Sequence, residues 1–133
     1  MKDRVLSIQK MQKLKELGID DSKAKMYWVR QVNGTSINEP IDGEFFLSLH
    51  KGERLMRSGF MRFETIPTFT LQDIIEMLPD SVEINEVPCY LDFGKDYVEY
   101  ISDFEDQSFI LFGDNMLENM YKILIWLLEN KYI

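Results

Sequence analysis

Apolar residues recur along residues 4–17 at steps of three, as Val5, Ile8, Met11, Leu14 and Leu17, with Lys10, Lys13, Lys15 and Glu16 filling the intervals. The spacing predicts an amphipathic helix. Gly18, placed just after the last periodic residue, suits the left-handed conformation that closes a helix. A step of three falls short of the 3.6-residue turn, so this stripe winds around the helix. Residues 25–32 change pattern: Tyr27, Trp28, Val29 and Val32 are aromatic or β-branched and run into Asn33-Gly34, which predicts a strand with a turn behind it. Residues 33–43 collect turn-forming residues with little apolar periodicity and read as a surface loop. Residues 44–49 then place Phe45, Leu47 and Leu49 on one face, a second strand suited to pairing with residues 25–32.

Residues 50–63 mix basic and large apolar residues without a clean period and read as an irregular connector ending in an extended stretch at 60–66. Next comes a helix with both ends written into it: Thr70 as N-cap, Asp73 three residues on, an apolar face of Leu71, Ile74, Ile75 and Leu78, and Pro79 as the stop. From residue 81 the period becomes two. Val82 and Ile84 alternate with Glu83 and Asn85, and Cys89, Leu91 and Phe93 with Tyr90 and Asp92. Gly94-Lys95-Asp96 then turns the chain into residues 97–101, so a hairpin or meander is expected. Residues 103–107 read as a loop and 108–112 as a last strand feeding, through Gly113, a helix over residues 116–129. Asp114 or Asn115 can cap that helix, and Asn115 with Glu118 fits a capping box. Leu117, Met120, Leu124, Leu127 and Leu128 form its main stripe, while Ile123 and Trp126 lie on another sector. Protein is therefore expected on two sides: the meander on the Met120 side, and the N-terminal helix or a second chain on the Trp126 side.

These elements amount to an α+β fold: an antiparallel meander sheet packed by a C-terminal helix, with an N-terminal helix and a short central helix. With 133 residues the chain suits one domain, residues 1–133, and can bury a core without metal or disulfide support. Charge divides it. Residues 1–66, the less regular part, carry 12 Lys/Arg and 9 Asp/Glu, a net +3; residues 67–133 carry 3 and 14, a net −11. An acidic half of this kind repels nucleic-acid phosphates and attracts basic partners. The longest fully apolar run, residues 123–128, is far too short to span a bilayer, no signal-like segment opens the chain, and a single cysteine, Cys89, agrees with a reducing compartment. A cytoplasmic location is the expectation.

Catalytic chemistry finds few candidates. One His and one Cys leave little for a triad or a zinc site; His50 reads as a turn residue and Cys89 as a buried structural thiol. Asp103, Glu105 and Asp106, alone or with Asp92 and Asp96, could offer oxygen ligands to Mg²⁺ or Ca²⁺, although the spacing is not that of an EF-hand and the acidic loop reads more simply as solvated. Lys51, Arg54, Arg57 and Arg62, with two aromatics nearby, form a candidate anion-binding segment, but no phosphate-binding or RNA-binding motif accompanies them. No cofactor is expected.

Residues 66–79, from Ile66-Pro67 through Leu78-Pro79, together with the ending Leu124-Ile125-Trp126-Leu127-Leu128-Glu129-Asn130, resemble small proteins of unknown function from bacterial genomes, their prophages and other mobile elements. More distantly, the succession of strand, strand, Phe109-Ile110-Leu111-Phe112-Gly113-Asp114-Asn115 and helix is similar to the core of HicB-type antitoxins, which implies a toxin-binding surface. The chain departs from that family by the long segment preceding this unit. The resulting expectation is a non-enzymatic interaction protein of a mobile element, antitoxin-like or immunity-like, whose acidic half binds a basic protein or a second copy. Trp126, Tyr132, Asp103, Glu105 and Asp106 are its candidate surface. A metal-dependent enzyme acting on a phosphate ester and a nucleic-acid accessory protein using residues 50–62 are the alternatives, and no membrane association is expected.

Overall fold

The computed structural model describes residues 4–32, 44–49, 62–102 and 109–133. In chain order these form α1 (Ile8–Glu16), β1 (Met26–Val32), β2 (Phe46–Ser48), β3 (Arg62–Thr68), α2 (Leu71–Met77), β4 (Ser81–Ile84), β5 (Val87–Phe93), β6 (Tyr97–Ile101), β7 (Phe109–Phe112) and α3 (Met116–Glu129). The fold is α+β, and every strand pair is antiparallel. The described strands form two sheets, β2-β1-β3 and the meander β4-β5-β6-β7.

The N-terminal helix begins later than its stripe suggests. Ser7 is the N-cap, its hydroxyl accepting from the Lys10 N–H at 3.3 Å. The residues before it are extended: Val5 bridges to Thr70, and the Leu6 N–H donates to the Phe69 carbonyl at 3.0 Å. Val5 is apolar because it packs beneath Met26 and Trp28, not because it belongs to the helix. The Leu6 carbonyl accepts from both Trp28 Nε1 at 2.9 Å and Thr68 Oγ1 at 2.6 Å, tying this entry segment to β1 and β3. At the other end Gly18 takes φ +95°. Its N–H donates to the Lys15 carbonyl while the Ile19 N–H donates to that of Leu14, the two bonds of a Schellman closure.

The second helix matches its sequence signals. The Thr70 hydroxyl accepts from the Asp73 N–H at 3.1 Å and the Asp73 carboxylate from the Thr70 N–H at 3.0 Å, a complete capping box. Leu78 leaves the helix with ψ 129°, as a residue before proline is biased to do. The third helix keeps only half of the expected box. Asn115 Oδ1 accepts from the Glu118 N–H, but the Glu118 carboxylate turns away to pair with Lys10 of α1.

α3 collects the main core. Met120, Ile123, Leu124 and Leu127 are fully buried, together with Val98 and Tyr100 of β6, Cys89 of β5, Ile74 of α2 and Leu14 of α1. The buried arc therefore centres on 120, 123, 124 and 127. Ile123 lies inside it, not on a separate sector, and Leu117 and Leu128 sit at its partly exposed margins. α2 and the β6–β7 half of the meander both pack on this helix. The turn into it is tight: Asn119 Nδ2 donates to the Gly113 carbonyl at 2.9 Å, and a Cβ on Gly113 would stand 2.7 Å from Asn119 Oδ1.

The β4–β5 hairpin closes through Asn85 and Glu86, both with positive φ, 52° and 68°, between the paired residues Ile84 and Val87. Two positive φ values in a two-residue loop are the signature of a type I′ turn, in which the second position favours glycine. Replacing Glu86→Gly removes a left-handed cost from a non-glycine residue and is expected to stabilise the protein by about 0.5–1 kcal/mol, net of the added freedom of the unfolded chain. Leu124→Ala, at the centre of the core, is expected to cost about 2–5 kcal/mol. Urea midpoints at constant m-value measure both, and a fall in midpoint for Glu86→Gly would show that the turn is not strained.

Candidate interaction surface

Among the described residues the four-stranded sheet has one face on α3 and the other uncovered. Cys89 and Leu91 of β5, Val98 and Tyr100 of β6, and Phe109 and Leu111 of β7 point towards α3. The alternate residues, Tyr90 and Asp92, Tyr97, Glu99 and Ile101, Ile110 and Phe112, point outward. Strand register orders these outward residues into rows. Tyr90 stands opposite Ile101; Asp92 opposite Glu99, and Glu99 opposite Ile110; Tyr97 opposite Phe112. The result is a surface with two carboxylates side by side and large apolar side chains around them. Phe112 is 72% exposed, Tyr90 52%, Ile101 43% and Ile110 39%.

Two carboxylates directly opposite on neighbouring strands repel each other. The Glu99 carboxyl is accordingly pushed above the usual range, first by desolvation among its neighbours and then by the negative charge of Asp92. Tyr97 donates its hydroxyl to Asp92 Oδ2 at 3.1 Å, and that bond, followed by the Asp92 charge, raises the Tyr97 hydroxyl. Part of the carboxylate pair is thus satisfied within the sheet. A side-chain hydrogen bond with Asp92 raises the Glu99 carboxyl further.

Sequence patterning pointed instead to Trp126 and Tyr132, and these occupy a different place. Trp126 lies against the meander. Its ring stacks on Phe109 with centroids 4.0 Å apart and planes 4° apart, with Tyr100 at 6.2 Å and Tyr132 at 5.1 Å. Tyr132 reaches it because the chain reverses after α3: Lys131 takes φ 60°, its N–H donates to the Leu128 carbonyl, and the Tyr132 N–H donates to that of Leu127. This is a second Schellman closure, with lysine where glycine is usual, and it lays the following aromatic on the last turns of the helix. Both residues are half-buried within this cluster. The helix α1 meets α3 elsewhere, through the Lys10–Glu118 pair and the Lys10 ammonium 5.2 Å from the Tyr121 ring centroid.

The remaining candidates divide. Asp103, Glu105 and Asp106, and likewise His50, Lys51, Arg54 and Arg57, lie outside the described residues. Arg62 opens β3, paired with Val32. Cys89 is fully buried beneath α3, its thiol 3.5 Å from the Val87 carbonyl. Among the described residues no group of three or more His, Cys, Asp or Glu is placed to hold a metal ion. A cleft of about 410 Å³ is lined in part by Asp20, Lys23, Asp73 and Ile133. Its acids are already engaged: Asp73 completes the α2 cap, Asp20 accepts from the Ser22 N–H at 2.9 Å, and Glu76 accepts from Gln72 Nε2 at 3.3 Å. Among the described residues no helix is long and apolar enough to cross a membrane.

The outward sheet face left one signal in the sequence. Phe109-Ile110-Leu111-Phe112 is apolar in both phases of its period, whereas a strand covered on one face needs only one apolar phase. Comparison with protein-family models, with curated proteins and with solved structures gives no match.

A raised carboxyl has a definite consequence for stability. The native state holds the Glu99 proton more tightly than the unfolded chain does, so this group lowers stability as pH rises through the unfolded and then the native value. Glu99→Gln is therefore expected to be more stable than the parent at pH 7, and to lose that advantage below about pH 4, where the carboxyl is protonated in both states. Urea unfolding at the two pH values measures this, and an equal offset at both would show that ionisation of Glu99 is not its source.

Proposed function

We propose that this chain is a non-enzymatic interaction protein of a mobile element, antitoxin-like or immunity-like, that binds a basic protein through the outward face of its four-stranded sheet. The carrying observation is the row Asp92, Glu99 and Ile110, bounded by Tyr90, Ile101, Tyr97 and Phe112. Contiguous exposed apolar side chains mark interaction surfaces. The two facing carboxylates add a sign to that surface, because a Lys or Arg placed between them would replace a repulsion with two attractions. Interfaces commonly bury an apolar and aromatic centre with arginine among its contacts. The excess of acids in residues 67–133 supports the same partner chemistry over a longer range and favours fast association at low ionic strength.

The test is co-expression of the affinity-tagged chain with each gene that flanks its own. A basic product is expected to co-elute at low salt, more weakly as ionic strength rises, and at least about tenfold more weakly with the double substitution Ile110→Ser and Phe112→Ser, since truncating interface anchors typically costs this much or more. A chain that sediments as a monomer and retains no flanking product at low salt would overturn the proposal. Binding unaffected by the double substitution would move the interface off this face.

A further inference from the structure

Among the described residues β7 ends the four-stranded sheet: it pairs with β6 on one side and stands at the edge on the other. Proteins generally blunt such an edge with a charge, a proline or a bulge. Phe109, Ile110, Leu111 and Phe112 contain neither a charge nor a proline. The strand is also held in place from beneath, since Phe109 stacks on Trp126 and Leu111 packs against the α3 core. Its outward side chains, Ile110 and Phe112, continue the acidic and apolar face, and the row Asp92, Glu99, Ile110 runs straight to this edge.

We propose that β7 is a strand-addition site, at which an extended segment of the basic partner pairs antiparallel with β7, setting a Lys or Arg opposite Ile110 and an apolar side chain opposite Phe112. This rests on the function proposed above and specifies how that partner is held. Backbone hydrogen bonds along the edge supply the pairing and the outward side chains the selectivity. Neighbouring strands lie about 4.8 Å apart, so the residue opposite Ile110 sits roughly 10 Å from Glu99 across two spacings. An extended Lys or Arg spans most of that distance over the Ile110 side chain, and the Glu99 side chain spans the rest. A second copy fits less well: it brings the same net charge of −8 and would add another Asp92 and Glu99 to the same continuous face. A strand anchored by the Phe109–Trp126 stack loses less freedom on pairing than an unanchored one, which favours binding.

The probe is a fluorescein-labelled peptide, Thr-Val-Ile-Thr-Arg-Val-Thr, followed by anisotropy at low salt against the full chain. Three counterparts accompany it: one with Glu in place of Arg, and two carrying N-methyl groups on alternate amides, one set on each edge of the peptide strand. The Arg peptide is expected to bind and the Glu peptide to bind at least about tenfold more weakly. One methylated peptide should lose at least about tenfold and the other keep affinity within about twofold, because only one edge can pair with β7. Glu99→Gln should weaken the Arg peptide and leave the Glu peptide unchanged or tighter. Equal binding of both methylated peptides overturns strand addition while leaving a basic partner on the sheet face. No binding of the Arg peptide also overturns strand addition, whereas equal binding of the Arg and Glu peptides counts against a basic partner altogether.

Discussion

A single helix of fourteen residues has to serve as common wall for a four-stranded sheet, a second helix and the N-terminal segment, and the rest of the structure is arranged around that constraint. Met120, Ile123, Leu124 and Leu127 have no solvent exposure, and burial of each such side chain is worth about 1.5–3 kcal/mol. The meander meets this arc with Val98 and Tyr100 from its third strand, and α2 meets it with Ile74. Tyr100 brings a polar group into the contact and satisfies it, its hydroxyl donating to the Pro79 carbonyl at 2.7 Å; burial pushes that hydroxyl up, so it remains a donor throughout the ordinary pH range. Gly113 and Asn119 hold the strand and helix at the distance this packing needs.

Among the described residues, covering one face of the meander so completely leaves its other face without a layer. A two-layer arrangement normally answers this with polar side chains, and Asp92, Glu99 and Tyr97 follow that rule. Tyr90, Ile101, Ile110 and Phe112 do not. The exceptions are contiguous through the strand register, and that contiguity separates a surface from a scatter of exposed apolar residues, which any protein shows. The opposed acids sharpen the point. Repulsion between Asp92 and Glu99 lowers the stability of the isolated chain, and a sheet face that only needed solvating would be better served by one acid opposite a lysine.

Most of the architecture was legible in residue order because its signals are local. Thr70, Asp73 and Pro79 bracket α2 through hydrogen bonds that span three residues, and period-two alternation marks the meander strands through the pleat itself. What escaped was decided by partners distant in sequence. Val5 belongs to a bridge with Thr70, not to the helix stripe it extends. Glu118 had a box to complete and found Lys10, 108 positions away, instead. The closure at Lys131 lacks the glycine that announces such turns, and without it nothing in the residue order placed Tyr132 over Trp126. The candidate surface was hidden for the same reason: Asp92, Glu99 and Ile110 are separated along the chain and become one row only through register. Meanwhile the aromatic that stood out, Trp126, is conspicuous because it is a large side chain at the seam between helix and sheet.

That seam bears on how the open face can be used. The Phe109–Trp126 stack anchors β7 from the α3 side. An anchored, uncharged edge beside an acidic row is a hazard if the neighbour is another apolar strand, since nothing within Phe109–Phe112 discourages pairing. The acids Asp92 and Glu99 supply the discrimination the edge lacks. Glu99 sits one strand inward and Asp92 two, too far to block backbone pairing, but Glu99 is near enough for a long cationic side chain to reach. Selectivity by a neighbouring row therefore permits both an apolar, well-packed edge strand and a preference among the segments that approach it, a division of labour that a charge placed on β7 itself would not allow.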